Sequence, residues 1–296
     1  MLRRLVLLAA ALLLCLTSAS ASLPVHVNEE PPEDWESRNL LRLYAFSSYR
    51  SDALVIECGG ETLAVDGSLT KYYEKLMAAY EDCGFMKDGH PHIDRLFNTH
   101  PDNDHIQGLY VMLRHGLTTN EFLSTFRKGY QTYYQKMCVA TLEKYNVPYR
   151  RLEQNEVLRV GDAEVTAFWW QEGTSTNYLS GQLHVRFGDA TILLTGDATG
   201  LAQRALLEQV GPELLEADIL KMPHHGLTAC VPEFLEAVDP AYAIITHSAK
   251  NEQTGCKNAV RQLKNRGVPY SFTYQGRIVC ETDGKEWYVR QYTDKY

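Results

Sequence analysis

A chain of 296 residues, 45% of them hydrophobic, is long enough to bury a large core. Its 37 acidic residues outnumber 29 basic ones, a formal charge of −8, which argues against a broad nucleic-acid-binding face but leaves room for a local basic patch. Beyond the N-terminal segment no apolar run reaches the roughly 20 residues that a membrane-spanning helix needs.

Residues 1–21 read as a secretory signal peptide. Arg3 and Arg4 form a positive start, Leu5 to Leu16 an apolar run, and Ala19 with Ala21 the small residues of a cleavage site before Ser22. Leu14 stands before Cys15 where lipidation wants a small residue, so no lipid anchor is expected. Loss of Arg3 and Arg4 leaves 27 basic against 37 acidic residues, a formal −10. The mature chain is expected to be secreted or at the cell surface, without stable membrane insertion. Residues 22–38, with Glu29, Glu30, Pro31, Pro32, Glu33 and Asp34, read as an exposed linker, and 39–296 as one domain. The six remaining cysteines, Cys58, Cys83, Cys138, Cys230, Cys256 and Cys280, leave disulfide pairing open, and most are expected as small buried hydrophobes.

From Leu41 the pattern is LRLYAF, DALVIE and TLAVDG, short strands separated by turn signals. Tyr73, Leu76, Met77 and Tyr80 then recur at helical spacing, capped by Ser68 or Thr70 and stopping near Gly84. Leu96 and Phe97 predict a short buried strand. The spacing of Phe122, Phe126, Tyr130, Tyr133 and Met137 predicts one long amphipathic helix. Strands VLRV, EVTAFWW, LHVRF and ATILLTGD follow, then helical runs Leu201 to Val210 and Pro232 to Val238, the strand YAIITHS, a helix Asn258 to Arg266 stopped by Gly267, and a hairpin turning at Asp283 and Gly284. Strands and helices in both halves suggest two sheets covered outside by helices.

The run Thr99 to Gly108, THPDNDHIQG, sets His100, Asp102, Asp104 and His105 within six positions. So many donors in so short a span repel one another or lose water unless a cation lies between them, and a divalent metal is the usual answer. Two later segments end strands with the same kinds of donor: LLTGDA presents Asp197 and KMPHHG presents His224 and His225. Together, in this order, they can converge on one metal site from several strands.

These residues resemble the metallo-β-lactamase superfamily, most closely the lactamase-like domain of ComEC-type competence proteins. The HxHxDH signature falls on His100, Asp102, Asp104 and His105, with Asp in the second His position as in the competence branch. The bridging aspartate falls on Asp197, and the PGHG-like turn on PHHG, which makes His225 the ligand and His224 its neighbour. The resemblance covers about Leu40 to Val289 and implies an α+β fold, a four-layer αββα sandwich, carrying one or two divalent ions, Zn or Mn. Asn177, followed by Ser180, stands where many members have a histidine, and Cys256 lies where the competence branch has a GHP turn. With Asn177, the first metal position is expected to be weak or empty. His184, in LHVRF, reads as a satisfied sheet histidine. Asn177, His247 and Cys256 are candidates for the substrate side, with Cys256 open also as a substituted ligand or as a residue without a role.

The expected chemistry is hydrolysis by a metal-activated hydroxide, with Asp104 and Asp197 catalytic and His224 protonating the leaving oxygen. A phosphodiester in nucleic acid is the substrate that the resemblance implies. A phosphorylcholine-esterase-like action on a cell-wall phosphodiester is the alternative, and a binding module on a degenerate hydrolase fold is a reading of a different class. A lactamase is disfavoured because the first metal position lacks its histidines. Protein partners are not legible.

Overall fold

The computed structural model describes residues 22–126, 132–170, 175–248 and 255–293. The first half contains β1 (Val25–Val27), β2 (Leu41–Ala45), β3 (Leu54–Cys58), β4 (Glu61–Val65), α1 (Tyr73–Asp82), β5 (Met86–Lys87), β6 (His90–Pro91), β7 (Arg95–Asn98), α2 (Asn103–Arg114), β8 (Glu121–Ser124), α3 (Tyr133–Lys144) and β9 (Tyr149–Arg151). The second contains β10 (Val157–Val160), β11 (Ala163–Phe168), β12 (Gln182–Phe187), β13 (Ala190–Leu194), α4 (Gly200–Val210), β14 (Ile219–Lys221), α5 (Pro232–Val238), β15 (Tyr242–Ile245), α6 (Lys257–Arg266), β16 (Tyr270–Phe272), β17 (Arg277–Thr282) and β18 (Trp287–Tyr292).

Among the described residues the strands form two large sheets and a small β5-β6 ribbon. The first sheet runs β1-β18-β17-β2-β3-β4-β7-β8-β9, and the second β10-β11-β12-β13-β14-β15-β16. Alternation along β2 buries Leu41, Leu43 and Ala45 and leaves Arg42 and Tyr44 partly exposed. Those inward residues share one core with Val165, Leu183, Val185 and Ile192 of the facing sheet. Outside, α1, α2 and α3 cover the first sheet through Leu76, Tyr80, Leu109, Leu113 and Leu142. Helices α4, α5 and α6 cover the second through Leu206, Phe234 and Leu263. The result is the expected αββα sandwich.

Each sheet contains a parallel block: β4-β7-β8-β9 in the first and β13-β14-β15-β16 in the second. Chain segments leaving the carboxyl ends of parallel strands are free to reach a ligand, since each strand needs a crossover to return. Asp66 follows β4, His100 follows β7, Asp197 follows β13, His224 and His225 follow β14, and His247 follows β15. The two blocks deliver these ends to one rim.

Three expectations need correction. Residues 22–38 are not simply an exposed linker: Glu29, Glu30, Glu33 and Asp34 are exposed, but β1 pairs in parallel with β18 and Trp35 is buried beneath Tyr288. The stripe from Phe122 to Met137 is not one helix. Phe122 lies on β8, which is buried on both faces and so shows no period-two alternation, and α3 begins only at Tyr133; Tyr130 lies outside the described residues. The pattern set no helix between Phe97 and Phe122, yet Asn103–Arg114 form α2, with Asp104 and His105 in its first turn. Ile106, Leu109, Tyr110 and Leu113 form its buried stripe. Among the described residues Cys58, Cys138, Cys230, Cys256 and Cys280 are buried free thiols, and Cys83 is partly buried.

Candidate metal centre

The cluster is assembled from both sheets. Asp66 adopts a left-handed backbone conformation after β4 and is completely buried. Its carboxylate accepts from Asn98 Nδ2 at 2.7 Å, Thr99 N at 2.8 Å, Thr99 Oγ1 at 2.6 Å and His105 Nδ1 at 2.6 Å. Asp102 sits at the N-cap position of α2 but makes no capping hydrogen bond, so its carboxylate is left for other work. After β13 the chain turns at Gly196, φ 50°, where an added Cβ would lie 2.3 Å from Ser180 Oγ. That hydroxyl accepts from the Asp197 backbone N–H at 2.8 Å. After β14, His224 and His225 both take positive φ, 50° and 55°, a conformation uncommon outside glycine and one that cross-strand packing must hold.

These constraints orient the imidazoles. His105 Nδ1 donates to Asp66, His225 Nδ1 donates to Asp52 Oδ1 at 3.1 Å, and His100 Nδ1 faces Thr99 Oγ1 at 3.0 Å. With Nδ1 used in this way, each Nε2 keeps a lone pair. The Nε2 atoms of His100, His105 and His225, and Oδ1 of Asp197, are buried without hydrogen-bond partners. His105 Nε2 is 3.3 Å and His225 Nε2 3.4 Å from Asp197 Oδ2, and His225 Nε2 is 3.6 Å from Asp104 Oδ2. Two donors each about 2.1 Å from one tetrahedral ion stand about 3.4 Å apart, so these spacings fit a shared cation better than direct hydrogen bonds. Donor atoms of His100, His105 and Asp197 lie within 4.8 Å of one another, as do those of Asp104, His105 and His225. The buried His/Asp clusters suit divalent metal ions.

The electrostatics agree. Burial opposes charge on His225, but Asp197 and Asp52 outweigh it and raise its pKa to about 10. His105 is likewise raised well above the usual histidine range, by Asp197 and Asp66 against burial. Burial works against ionisation of Asp104, yet His225 and His105 bring it down to about 2. The carboxylates thus demand positive charge at the imidazoles, where a proton and a divalent ion compete for the same lone pairs.

The sandwich can be set beside known structures. It superposes on YhfI, a metallo-β-lactamase fold protein from Bacillus subtilis, with a TM-score of 0.53 over 82% of this chain and 100% of that one, at 13% identity. This chain has the metallo-β-lactamase fold. Other proteins with the superposable fold include Igni18, a metallo hydrolase from Ignicoccus hospitalis (TM-score 0.52, 13% identity, 81% of this chain and 98% of that one), and CmlA, a diiron β-hydroxylase from Streptomyces venezuelae (0.53, 14%, 85% and 55%). In sequence, the chain is a distant homologue of ComE operon protein 3 from Bacillus subtilis (strain 168), 27% identical over 179 residues, 59% of this chain. That match spans only 22% of the relative's length. No protein-family model matches the chain.

Within the metallo-β-lactamase fold, the residues singled out from sequence take distinct places. His100, His105, Asp197 and His225 are buried together, and Asp104 reaches in from α2 with its side chain 30% exposed. Asp102 Oδ2 lies 3.6 Å from His100 Nε2 but joins none of the three-donor groups among the described residues. His224 lies on the rim, its side chain 29% exposed and Nε2 3.7 Å from Asp197 Oδ2. Asn177 is half-buried in the turn Thr176–Leu179; from its neighbourhood, Ser180 Oγ faces His100 Nδ1 at 3.4 Å. Burial, then Arg50 and His225, push His247 down to about 4. Cys256 stands behind the site, fully buried with its thiol donating to the His225 carbonyl at 3.4 Å. His184 is the satisfied sheet histidine expected, bonded through Nε2 to the Glu216 carbonyl at 2.9 Å. A hollow of about 400 Å³ lined by Arg42, Thr62, Cys83 and Asp94 shares no residue with the cluster.

Sequence reasoning missed the supporting residues Asp52, Asp66, Thr246 and Lys221. Asp66 carried a faint signal as the carboxylate closing TLAVDG. Lys221 carried a stronger one, a charge inside the otherwise apolar run from Ala217 to Met222 apart from Asp218.

Proposed function

We propose that this protein is an exported, metal-dependent hydrolase of phosphodiesters. The observation that carries the reading is the convergence of three buried, unpartnered Nε2 atoms on one oxygen of Asp197, from 3.3 Å for His105 to 3.9 Å for His100. In this reading Asp104, His105, Asp197 and His225 hold one divalent ion, and His100 with Asp102 and Asp197 hold a weaker neighbour. Asp52, Asp66, Asp102, Asp104 and Asp197 carry five negative charges and Lys221 one positive, so neutral imidazoles leave four negative charges, the number that two divalent ions balance. A site with this many carboxylates takes Mn²⁺ as well as Zn²⁺.

When bound, such an ion acidifies a water ligand and sets positive charge beside an anionic transition state. The chain's own groups do the rest. In this reading Asp197 and Asp104 orient the donors, and His224 passes a proton through Nε2 to the leaving oxygen, a role supported by the contact of its Nδ1 with Thr228 Oγ1 at 3.1 Å. The fold alone does not choose the reaction, since CmlA is a hydroxylase. Asp102 in place of histidine, Asn177 with Ser180, and the likeness to ComE operon protein 3 support the competence branch over a lactamase. The formal charge of −10 that remains without Arg3 and Arg4 favours a small or wall-attached phosphodiester over a long nucleic-acid track. Export rests on Arg3, Arg4, Leu5 to Leu16, Ala19 and Ala21, which lie outside the described residues; a mature N-terminus at Ser22 on exported material would support it, and an intact Met1 there would refute it.

The deciding experiment compares wild type with Asp197→Asn for metal content, melting temperature and hydrolysis of bis-p-nitrophenyl phosphate. Loss of the carboxylate charge should cost orders of magnitude in turnover. If Asp197 merely shaped a turn, the change would cost about 1 kcal/mol of stability and leave turnover intact, which would sink the reading.

A further inference from the structure

Strand β14 is buried along its whole length, Lys221 included, in the parallel block where an apolar side chain is the ordinary choice. Its ammonium pairs with Asp52 Oδ2, donates to the Gly196 carbonyl at 2.9 Å and stands 3.9 Å from Asp197 Oδ1. The other oxygen of Asp52 accepts from Thr246 Oγ1 at 2.6 Å and from His225 Nδ1 at 3.1 Å. Asp52 precedes β3 in the first sheet, whereas Lys221, Gly196, His225 and Thr246 belong to the second. One ammonium therefore ties the two sheets together beneath the cluster, without itself being a metal donor.

A buried ion pair costs several kcal/mol of desolvation for each ion, and an apolar pair of similar volume is often neutral or stabilising. Filling space between the sheets would not need the charge. What the charge does is directional. It divides the work of Asp52, one oxygen for Lys221 and one for His225, and it holds the peptide oxygen of Gly196 immediately before Asp197. Without it Asp52 loses one of its anchors and can turn from His225, and the Gly196 peptide loses its donor.

We propose that Lys221 is a positioning residue, clamped between the Asp52 carboxylate and the Gly196 carbonyl, that fixes His225 and Asp197 and thereby sets the affinity of the cluster for a divalent ion. The proposal rests on the reading of the cluster as a metal site. Carboxylates that orient a ligand histidine are worth about 10- to 100-fold in metal affinity, and Lys221 acts through such a carboxylate.

The test titrates Zn²⁺ and, separately, Mn²⁺ into the metal-free protein against a chromophoric chelator at one pH. It uses wild type, His105→Ala, Lys221→Met, Asp52→Asn and the double variant Lys221→Met with Asp52→Asn, each with its melting temperature. Lys221→Met alone leaves Asp52 buried without its counter-ion and should lose stability as well as affinity. The double variant removes both charges and should regain melting temperature, yet bind about 10- to 100-fold more weakly than wild type. If Lys221→Met does not fold, the double variant and Asp52→Asn carry the comparison. A double variant that binds as tightly as wild type overturns the positioning role while leaving the metal site standing. A wild type that binds neither ion, or a His105→Ala variant that binds as well as wild type, overturns the metal site and this proposal with it.

Discussion

His105 and His184 show how the same side chain is committed to different ends by its partners. Both are buried, but His184 satisfies its ring at the Glu216 carbonyl, whereas His105 spends Nδ1 on Asp66 and leaves Nε2 bare. His105→Ala should therefore lose most bound metal and His184→Gln should keep it, as metal analysis of the two purified variants will show; equal retention would contradict the site. The two also differ in what pH does to them. Burial lowers the His184 pKa below its usual 6.5, and the backbone bond to Glu216 only partly restores it. The unfolded chain thus takes up a proton that the folded chain refuses, so the stability from neutral His184 is present above about pH 6.5 and lost as pH falls below it. In melting curves at pH 7.5 and 5, wild type should lose more stability on acidification than His184→Gln; identical losses would mean that His184 titrates alike in both states.

At the scale of elements, the decisive joint is the entry of α2. Gly108 lies against the turn after β4, where a Cβ would fall 1.7 Å from the Gly67 carbonyl oxygen, and its N–H donates to the Ser68 carbonyl at 2.9 Å. The same turn takes the Gly67 N–H to the His105 carbonyl at 2.8 Å, so the glycine contact and the aim of His105 belong to one joint. Gly108→Ala must push α2 from the sheet, at about 1–3 kcal/mol of overpacking strain. Metal affinity should fall with it, because Asp104 and His105 ride on the first turn of that helix. Calorimetry and chelator competition on this variant check both effects; undiminished affinity would show that the donors tolerate a displaced helix.

For the whole molecule, the cluster is a place where the two sheets exchange buried polar contacts. Asp52, Asp66 and His100 come from the first sheet's loops and His105 from α2 beside it, whereas Asp197 and His225 follow strands of the second sheet and Lys221 lies on its β14. An ion bound there links the halves and binds only the folded chain. At 100 times its dissociation constant it should add about 2.7 kcal/mol of stability. Excess chelator should lower the melting temperature, and Zn²⁺ or Mn²⁺ should restore it in wild type but not in His105→Ala; a melting temperature indifferent to both would count against a metal that couples the sheets.

The alternation of LRLYAF and TLAVDG, the strand-end donors and their order were local properties; pattern alone suggested two sheets covered by helices, while the αββα sandwich and the ligand set were what the resemblance to the metallo-β-lactamase superfamily implied. Local pattern misled where burial hides its period: β8, covered on both faces, merged with α3 into a false helical stripe, and β1 with Trp35 looked like a linker because its neighbours are acidic and exposed. The supporting groups were beyond its reach for a different reason. Asp52 and His225 are 173 residues apart, and Asp52 and Thr246 are 194 apart, so no spacing in the chain encodes their contact. Only the stacking of one sheet on the other, driven by the apolar core between them, brings Asp52 to His225 and Lys221 and decides which nitrogen of each histidine faces the site.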